Sequence, residues 1–351
     1  MARSILLDGK LVDESSDCYV IAEIGHNHQG SLDTAMELVR QAAESGADAV
    51  KLQKRDNRAI YTKAMFDKPY ENRNSYGDTY GKHREFLEFG RSQFLALRDY
   101  AKELGLTLFA TAFDQGSADF LAELDMPLFK IASGDLWNLP LLRHVAALGK
   151  PMIISTGGAE FADVRRAVEA ILPINRQLAV LQCTSGYPSA FEELNLRVIE
   201  TYRREFPECV VGLSAHDSGI AMAVVAYVLG GRIVEKHFTL NRAMRGTDHA
   251  FSLEPVGLRK MIRDLKRTRV AFGDGVKQPL ETEKAPLTKM RKQIVAARDL
   301  PAGHVLAMAD LGFKSPLTTG LQPYDLELVL GATTVAPLCA DDPVTADAIR
   351  K

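Results

Sequence analysis

Cysteine is scarce in this chain: four residues in 351, Cys18, Cys183, Cys209 and Cys339, and no Cys-x-x-Cys pair. That excludes a disulfide framework and a cysteine-built structural zinc site, and it makes a reducing, cytoplasmic compartment the expectation. A surplus of one charge is missing too, since the formal net charge is -2. Without a broad field, neither nucleic acid nor an acidic membrane is an expected partner, and an anionic ligand needs local cations. No apolar run is long enough to span a bilayer, and the opening Met1-Ala2-Arg3-Ser4 lacks the apolar core of a signal segment, so a soluble protein is expected. Two nucleotide signatures fail as well. No Gly-x-Gly-x-x-Gly follows the first strand-like run, and Gly77 to His83 has one residue too few before Gly81-Lys82 and no Ser or Thr after it.

What is present is ordinary globular composition, 46% hydrophobic and 25% charged, enough for a large core. Ile5-Leu6-Leu7 and Leu11-Val12 around Asp8-Gly9-Lys10 read as a hairpin suited to covering one end of a barrel. Strand-like and helix-like segments then alternate. Tyr19 to Ala22 is an apolar run ending in Glu23. Ser31 caps a helix with Leu32, Ala35, Met36, Val39, Ala42 and Ala43 on one face, and Gly46 ends it. Ala49 to Gln53, Leu106 to Phe109, Pro127 to Phe129, Pro151 to Ile154 and Leu178 to Leu181 follow as strands. Two more end in Ser214-Ala215-His216 and Glu235-Lys236-His237, with a helical run from Ile220 to Leu229 between them. Eight parallel strands and eight crossovers over roughly 270 residues predict an α/β fold, a (β/α)8 TIM barrel spanning 1–272. Residues 273–289, rich in Gly, Pro, Lys and Glu, read as a linker, and 290–351 as a small β-rich second domain. Arg55 to Glu88 is too long for an ordinary connection, which marks it as functional or disordered.

A barrel gathers its active site where the strands end. There the sequence places Glu23, Lys51, Gln53, Thr111, Lys130, Ser133, Ser155, Ser185, Tyr187, Ser214, His216, Glu235 and His237. Parallel neighbouring strands bring His216 and His237 side by side, and imidazoles delivered this way are natural ligands for a divalent metal. Lys51 and Lys130 interrupt apolar strands, where an unpaired ammonium is costly. Lysines and hydroxyls together therefore read as a site for a phosphate or carboxylate ester. Solvated strand ends and two satisfied histidines are the bland alternative. His26-x-His28 also suggests a metal-dependent amidohydrolase. That chemistry needs histidines after the fifth and sixth strands and an aspartate after the eighth, where this chain has Ser155-Thr156-Gly157, Cys183-Thr184-Ser185 and Glu235-Lys236-His237.

Several stretches in order are similar to the sialic acid synthase family: Ile21-Ala22-Glu23-Ile24-Gly25-x-Asn27-His28-Gln29-Gly30, Gly46-Ala47-Asp48-x-x-Lys51-x-Gln53, Lys130-Ile131-Ala132-Ser133-Gly134-Asp135, Cys183-Thr184-Ser185-x-Tyr187-Pro188 and Glu235-Lys236-His237-Phe238-Thr239-Leu240. The likeness runs nearly end to end, and the tail resembles that family's antifreeze-like (SAF) domain. It implies condensation of phosphoenolpyruvate with an N-acylated amino sugar, N-acetylmannosamine or its 6-phosphate, to give N-acetylneuraminate or its 9-phosphate plus inorganic phosphate. By the same resemblance Lys51, Thr111, Lys130, Ser133, Ser155, Ser185 and Ser214 hold phosphoenolpyruvate. His216 and His237 ligate a divalent cation, manganese first and magnesium or cobalt as alternatives. Glu23 and Glu235 orient the sugar and relay protons, while Gln53, Tyr187 and Asp248 contact it. A domain-swapped homodimer is implied as well. In many bacterial members a SAF-domain arginine reaches the amino sugar, and here Ser315 stands in its place. Pro69-Tyr70, Thr79-Tyr80-Gly81-x-His83 and Gly246-Thr247-Asp248-His249 resemble instead the animal-type enzymes that use the 6-phosphorylated sugar, with Arg73, Lys82, His83 or Arg245 as candidate phosphate contacts. A legionaminate, pseudaminate or deaminated-sialate synthase is an alternative, as is a non-catalytic barrel with a binding SAF domain.

Overall fold

A hairpin leads the chain in the computed structural model, which describes residues 3–351. Its strands β1 (Ser4–Leu7) and β2 (Lys10–Asp13) pair antiparallel around Asp8 and Gly9, whose φ values of 48° and 81° suit glycine and are tolerated by aspartate. Eight parallel strands follow: β3 (Tyr19–Gly25), β4 (Ala49–Lys54), β5 (Thr107–Ala112), β6 (Phe129–Ile131), β7 (Met152–Ser155), β8 (Leu178–Cys183), β9 (Val210–Ala215) and β10 (Ile233–His237). They close into a barrel in sequence order, with β10 against β3. The first crossover helix, Leu32–Ser45, begins where the Ser31 side chain accepts the Thr34 N–H and stops at Gly46 in a left-handed conformation.

Side chains alternate across each strand, and that alternation builds two cores. Val20, Ala22, Val50, Leu52, Val180, Val211 and Val234 face outward into the large core beneath the helices. Tyr19, Ile21, Ala49, Phe109, Leu128, Ile153, Leu181 and Ile233 fill the interior, joined by Ile5, Leu7 and Val12, so the hairpin plugs the N-terminal end. Thr107 Oγ1 fastens it further by donating to Asp8 Oδ2 at 2.9 Å. Two residues farther along each strand the interior changes character: Ile21 gives way to Glu23, Ala49 to Lys51, Phe109 to Thr111, Leu128 to Lys130, Ile153 to Ser155 and Ile233 to Glu235. Apolar layers hold one end of the barrel together, and a polar layer lines the other.

The long segment after β4 is folded, with short helices at Asn57–Ile60, Lys63–Phe66 and Tyr80–Phe86. Gly81, part of the rejected Walker pattern, has a packing reason: the Phe66 ring lies 2.3 Å from where a Cβ would stand. The chain divides into two units, Met1–Gly273 and Asp274–Lys351. In the second, β11 (Gln293–Ala296) pairs with β12 (Leu311–Lys314) and β13 (Thr333–Thr334) with β14 (Ile349–Arg350), around Ile294, Leu300, Leu306, Val329 and Val344. The linker stretch includes a short helix, Lys284–Met290.

A fully buried charge breaks the apolar pattern of the outward face. Lys236, on β10, is buried and donates to Asp217 Oδ1 at 2.8 Å and to the Asp217 carbonyl at 2.6 Å. The pair ties the loop after β9 to β10 and so fixes His216 relative to His237. Lys236→Met leaves the buried Asp217 carboxylate without its cation, and chemical denaturation is expected to show a loss of about 3–5 kcal/mol. A loss under about 1 kcal/mol, the range of exposed pairs, contradicts this role.

Candidate active site

Strand register places the polar layer. Glu23 stands beside Lys51, His237 beside Glu23, Gln53 beside Thr111, Thr111 beside Lys130 and Glu235 beside Ser214. Lys51 Nζ lies 2.6 Å from Glu23 Oε2 and 3.8 Å from Glu235 Oε1, and it donates to Thr111 Oγ1 at 2.7 Å. Gln53 Nε2 donates to Glu23 Oε1 at 2.8 Å, and Ser214 Oγ to Glu235 Oε1 at 3.2 Å. Lys130 Nζ donates to the Ile131 carbonyl at 2.8 Å. Two ammonium groups and two carboxylates thus share one buried basin. This corrects one part of the sequence argument: Lys51 is not an unpaired ammonium, because Glu23 already matches it.

Burial and pairing separate the two carboxyls. Burial, helped by the nearby Glu235 charge, pushes Glu23 up to about 7 against the pull of Lys51. Burial acts on Glu235 in the same sense, but Lys130 and Lys51 outweigh it and hold that carboxyl below its ordinary range. Burial also lowers Lys130, which Glu235 partly opposes.

The two histidines meet beside this cluster, with ring centroids 5.2 Å apart. His216 Nδ1 is 2.8 Å from the Thr184 carbonyl, which only accepts, so Nδ1 carries the proton and Nε2 presents its lone pair. His237 Nδ1 is buried without a hydrogen-bond partner, and Asp248 Oδ2 stands 3.9 Å away. Burial keeps His237 less basic than usual, and a neutral imidazole is what a metal requires. Among the described residues no group of three or more His, Cys, Asp or Glu is placed so that it could hold a metal ion. The donor set is therefore two imidazoles, which fits a divalent cation whose remaining shell is open to water or substrate. The Tyr187 ring lies 4.2 Å, centroid to centroid, from His216 at a tilt of 42°, and Phe251 meets His237 edge-on at 5.0 Å, forming an aromatic wall.

Hydroxyls collect on the opposite side. Ser155 Oγ is buried with no partner, and Ser133 Oγ accepts the Gly157 N–H at 2.9 Å. Ser185 Oγ lies 2.0 Å from where a Cβ on Gly157 would stand, so a side chain there would displace the Ser185 hydroxyl. A cavity of about 650 Å³ lies alongside rather than over the charged basin, lined by Thr156, Phe161, Gln182, Ser185, Val198 and Tyr202, and of the site candidates only Ser185 borders it. The residues expected at the strand ends, from Glu23 on β3 to His237 on β10, lie at this end of the barrel, and Asp248 stands beside His237. Cys183, 4.0 Å from His216 Nδ1, and Phe251 were not among them; the period of two along β8 points Cys183 inward after Leu181, while nothing in the spacing marks Phe251. The phosphate candidates fare unevenly. Lys82 is exposed and pairs with Asp78 at 3.0 Å. His83 is buried, accepts the Tyr76 N–H at 3.1 Å, and is pushed by burial and nearby arginines down to about 4, so it meets no phosphate as a cation near neutral pH. Arg73 and Arg245 are both exposed, and Arg245 lies over the Tyr76 ring at 4.6 Å. Ser315 takes a hydrogen bond from Lys292 at 3.1 Å.

The NeuB family pattern matches residues 38–277, and that of the SAF domain matches residues 291–350. The chain belongs to the NeuB family. This NeuB-family chain is 38% identical over 339 residues to human N-acetylneuraminate-9-phosphate synthase, covering 97% of this chain and 94% of that one. It is 34% identical over 324 residues to N,N'-diacetyllegionaminic acid synthase of Legionella pneumophila, covering 91% and 90%. Its fold is that of N-acetylneuraminic acid (sialic acid) synthetase from Leptospira borgpetersenii, with a TM-score of 0.71 at 29% identity over 82% of this chain and 96% of that one. It is thus an enzyme of the sialic acid synthase type.

Glu23 yields a prediction about stability. Its folded-state value of about 7 lies above the ordinary 4.5, so the folded chain holds this proton more tightly than the unfolded one. The stability it contributes is complete below the unfolded value and is lost as pH rises through about 7. Denaturation between pH 5 and 8 is expected to give wild type a slope of up to about 1.4 kcal/mol per pH unit that Glu23→Gln lacks. Parallel curves for the two proteins contradict the assignment.

Proposed function

We propose that this NeuB-family enzyme condenses phosphoenolpyruvate with N-acetylmannosamine 6-phosphate, giving N-acetylneuraminate 9-phosphate and inorganic phosphate. The observation that carries the reading is the histidine pair, 5.2 Å apart, beside the Glu23–Lys51–Glu235–Lys130 cluster in a chain similar over nearly its whole length to the human 9-phosphate synthase. His216 and His237 would hold a divalent cation, manganese first with magnesium or cobalt as alternatives, because only two protein ligands leave a shell of water and sugar oxygens that suits a hard, exchangeable ion. When bound, that ion supplies Lewis-acid polarisation of the sugar's aldehyde.

Lys51, Lys130, Thr111, Ser214 and the hydroxyls of Ser133, Ser155 and Ser185 receive phosphoenolpyruvate. Charge accounting explains how a neutral cluster accepts an anion. With Glu23 protonated, two lysines face one carboxylate, Glu235, and the basin becomes positive, so anion binding and proton uptake at Glu23 favour each other. As C3 of the enol bonds to the aldehyde carbon, Glu23 hands its proton to the aldehyde oxygen. Its carboxylate then takes a proton from the water that adds at C2. The C2–O bond to phosphate breaks, and the new hydroxyl at C2 becomes the ketone as phosphate leaves with its proton. Glu235, kept ionised by Lys130 and Lys51, orients the sugar hydroxyls, and Gln53, Tyr187 and Asp248 complete the sugar contacts.

A second reading keeps the chemistry and changes the sugar, favoured by the likeness to a legionaminic acid synthase. Two copies arranged as a domain-swapped homodimer belong to the same proposal, supported by the exposed apolar side chains of Leu317 and Tyr324 in the small unit. A cytoplasmic setting accords with four cysteines left as free thiols.

Phosphate release from phosphoenolpyruvate, measured with manganese and a panel of free and 6-phosphorylated hexosamines, tests the function. Release is expected with N-acetylmannosamine 6-phosphate and is lost with a chelator. Alanine at His216 or His237 is expected to lower kcat/KM by about a hundredfold or more, the loss of several kcal/mol of transition-state stabilisation. No release with any mannose-type sugar leaves the non-catalytic alternative standing.

A further inference from the structure

One half-buried cation near the basin has no anionic partner. Arg84, on the helix Tyr80–Phe86, uses its guanidinium on neutral groups: Nη1 lies 3.0 Å from His26 Nδ1, and Nε and Nη2 donate to the Tyr80 hydroxyl at 3.2 and 3.0 Å. Nearby cations are matched, since Arg55 has Glu88 at 3.4 Å and Lys54 has the same carboxylate at 3.2 Å. Among the described residues no carboxylate stands within 4.0 Å of Arg84, which is half-buried, or of Arg245, which is exposed and carries no such cost. A partly buried guanidinium without a counter-charge is costly, and an incoming anion removes that cost.

Arg245 reaches the same place from the loop after β10. Its guanidinium lies 4.6 Å from the Tyr76 ring centroid, while its carbonyl accepts from the Tyr76 hydroxyl at 2.7 Å and from Gln29 Nε2 at 2.6 Å. His83 is the common neighbour, buried against Tyr76 and Tyr80 and within the field of both arginines and of Asp248. Asp248 in turn is 3.9 Å from His237 Nδ1. Asp248 thus stands next to the histidine pair and within the electrostatic reach of His83 and Arg84, so a hexose with its aldehyde at the histidines and its chain past Asp248 would bring its far end toward the two guanidinium groups.

We propose that Arg84 and Arg245 form the subsite for the 6-phosphate of the acceptor sugar, an assignment that rests on the phosphosugar reading above. Guanidinium suits the task because its planar fork donates two parallel hydrogen bonds to phosphate oxygens. Initial rates with N-acetylmannosamine 6-phosphate and with N-acetylmannosamine, for wild type, Arg84→Gln, Arg84→Lys and Arg245→Gln, test it. Arg245→Gln is the safer variant for folding, because the hydrogen bonds of Arg245 named here run through its carbonyl, and thermal unfolding checks each protein. Wild type is expected to prefer the phosphorylated sugar. Each Gln variant is expected to lower the ratio of kcat/KM for phosphorylated over free sugar at least about tenfold, through KM for the phosphosugar, with Arg84→Lys recovering part. If wild type keeps its preference but both Gln variants leave the ratio unchanged, the subsite is overturned and the phosphosugar reading survives. If wild type prefers the free sugar, both are overturned.

Discussion

Everything at the working end of this barrel depends on a buried balance of charge. Lys51 and Lys130 are held among Glu23 and Glu235 in a layer almost closed to solvent. Charges taken out of water this deeply need partners in good geometry, and removing one member leaves its neighbour exposed to the full desolvation cost. Such a cluster is a poor way to stabilise a fold. It is a good way to hold a carboxyl near neutrality and two ammonium groups in place, ready for an anion that alters the balance.

The barrel keeps this expense away from its foundations. Its lower interior is apolar and capped by the hairpin, and its outer face is sealed beneath helices. Stability is concentrated there, so the polar layer can be organised for chemistry. Where the two purposes meet, the structure adds a brace: Lys236 on the outer face holds Asp217, the residue after His216, while its own neighbour His237 faces inward. The spacing of the histidine pair is thereby set from outside the basin.

Much of this was legible in the sequence, and the reasons are physical. Apolar runs with polar ends mark parallel strands, and the period of two identifies Lys51, Lys130, Glu235 and His237 as interior residues without coordinates. The Lys51–Glu23 pair was not legible, because it depends on how neighbouring strands register across a closed barrel, and sequence spacing does not encode that. His83 shows a different limit. Its residue type suits a phosphate contact, but the fold of the Arg55–Glu88 segment buries it among Tyr70, Tyr76 and Tyr80, where it is neutral. Arg84, one residue on, carries no distinguishing mark in the sequence, since its lack of a carboxylate partner appears only once that segment is folded.

Pulsed electron paramagnetic resonance on the protein loaded with manganese(II) tests the central claim most directly. The account predicts modulation from two directly bound imidazole nitrogens, falling to one in His216→Ala and in His237→Ala. A manganese signal carrying no histidine nitrogen contradicts it.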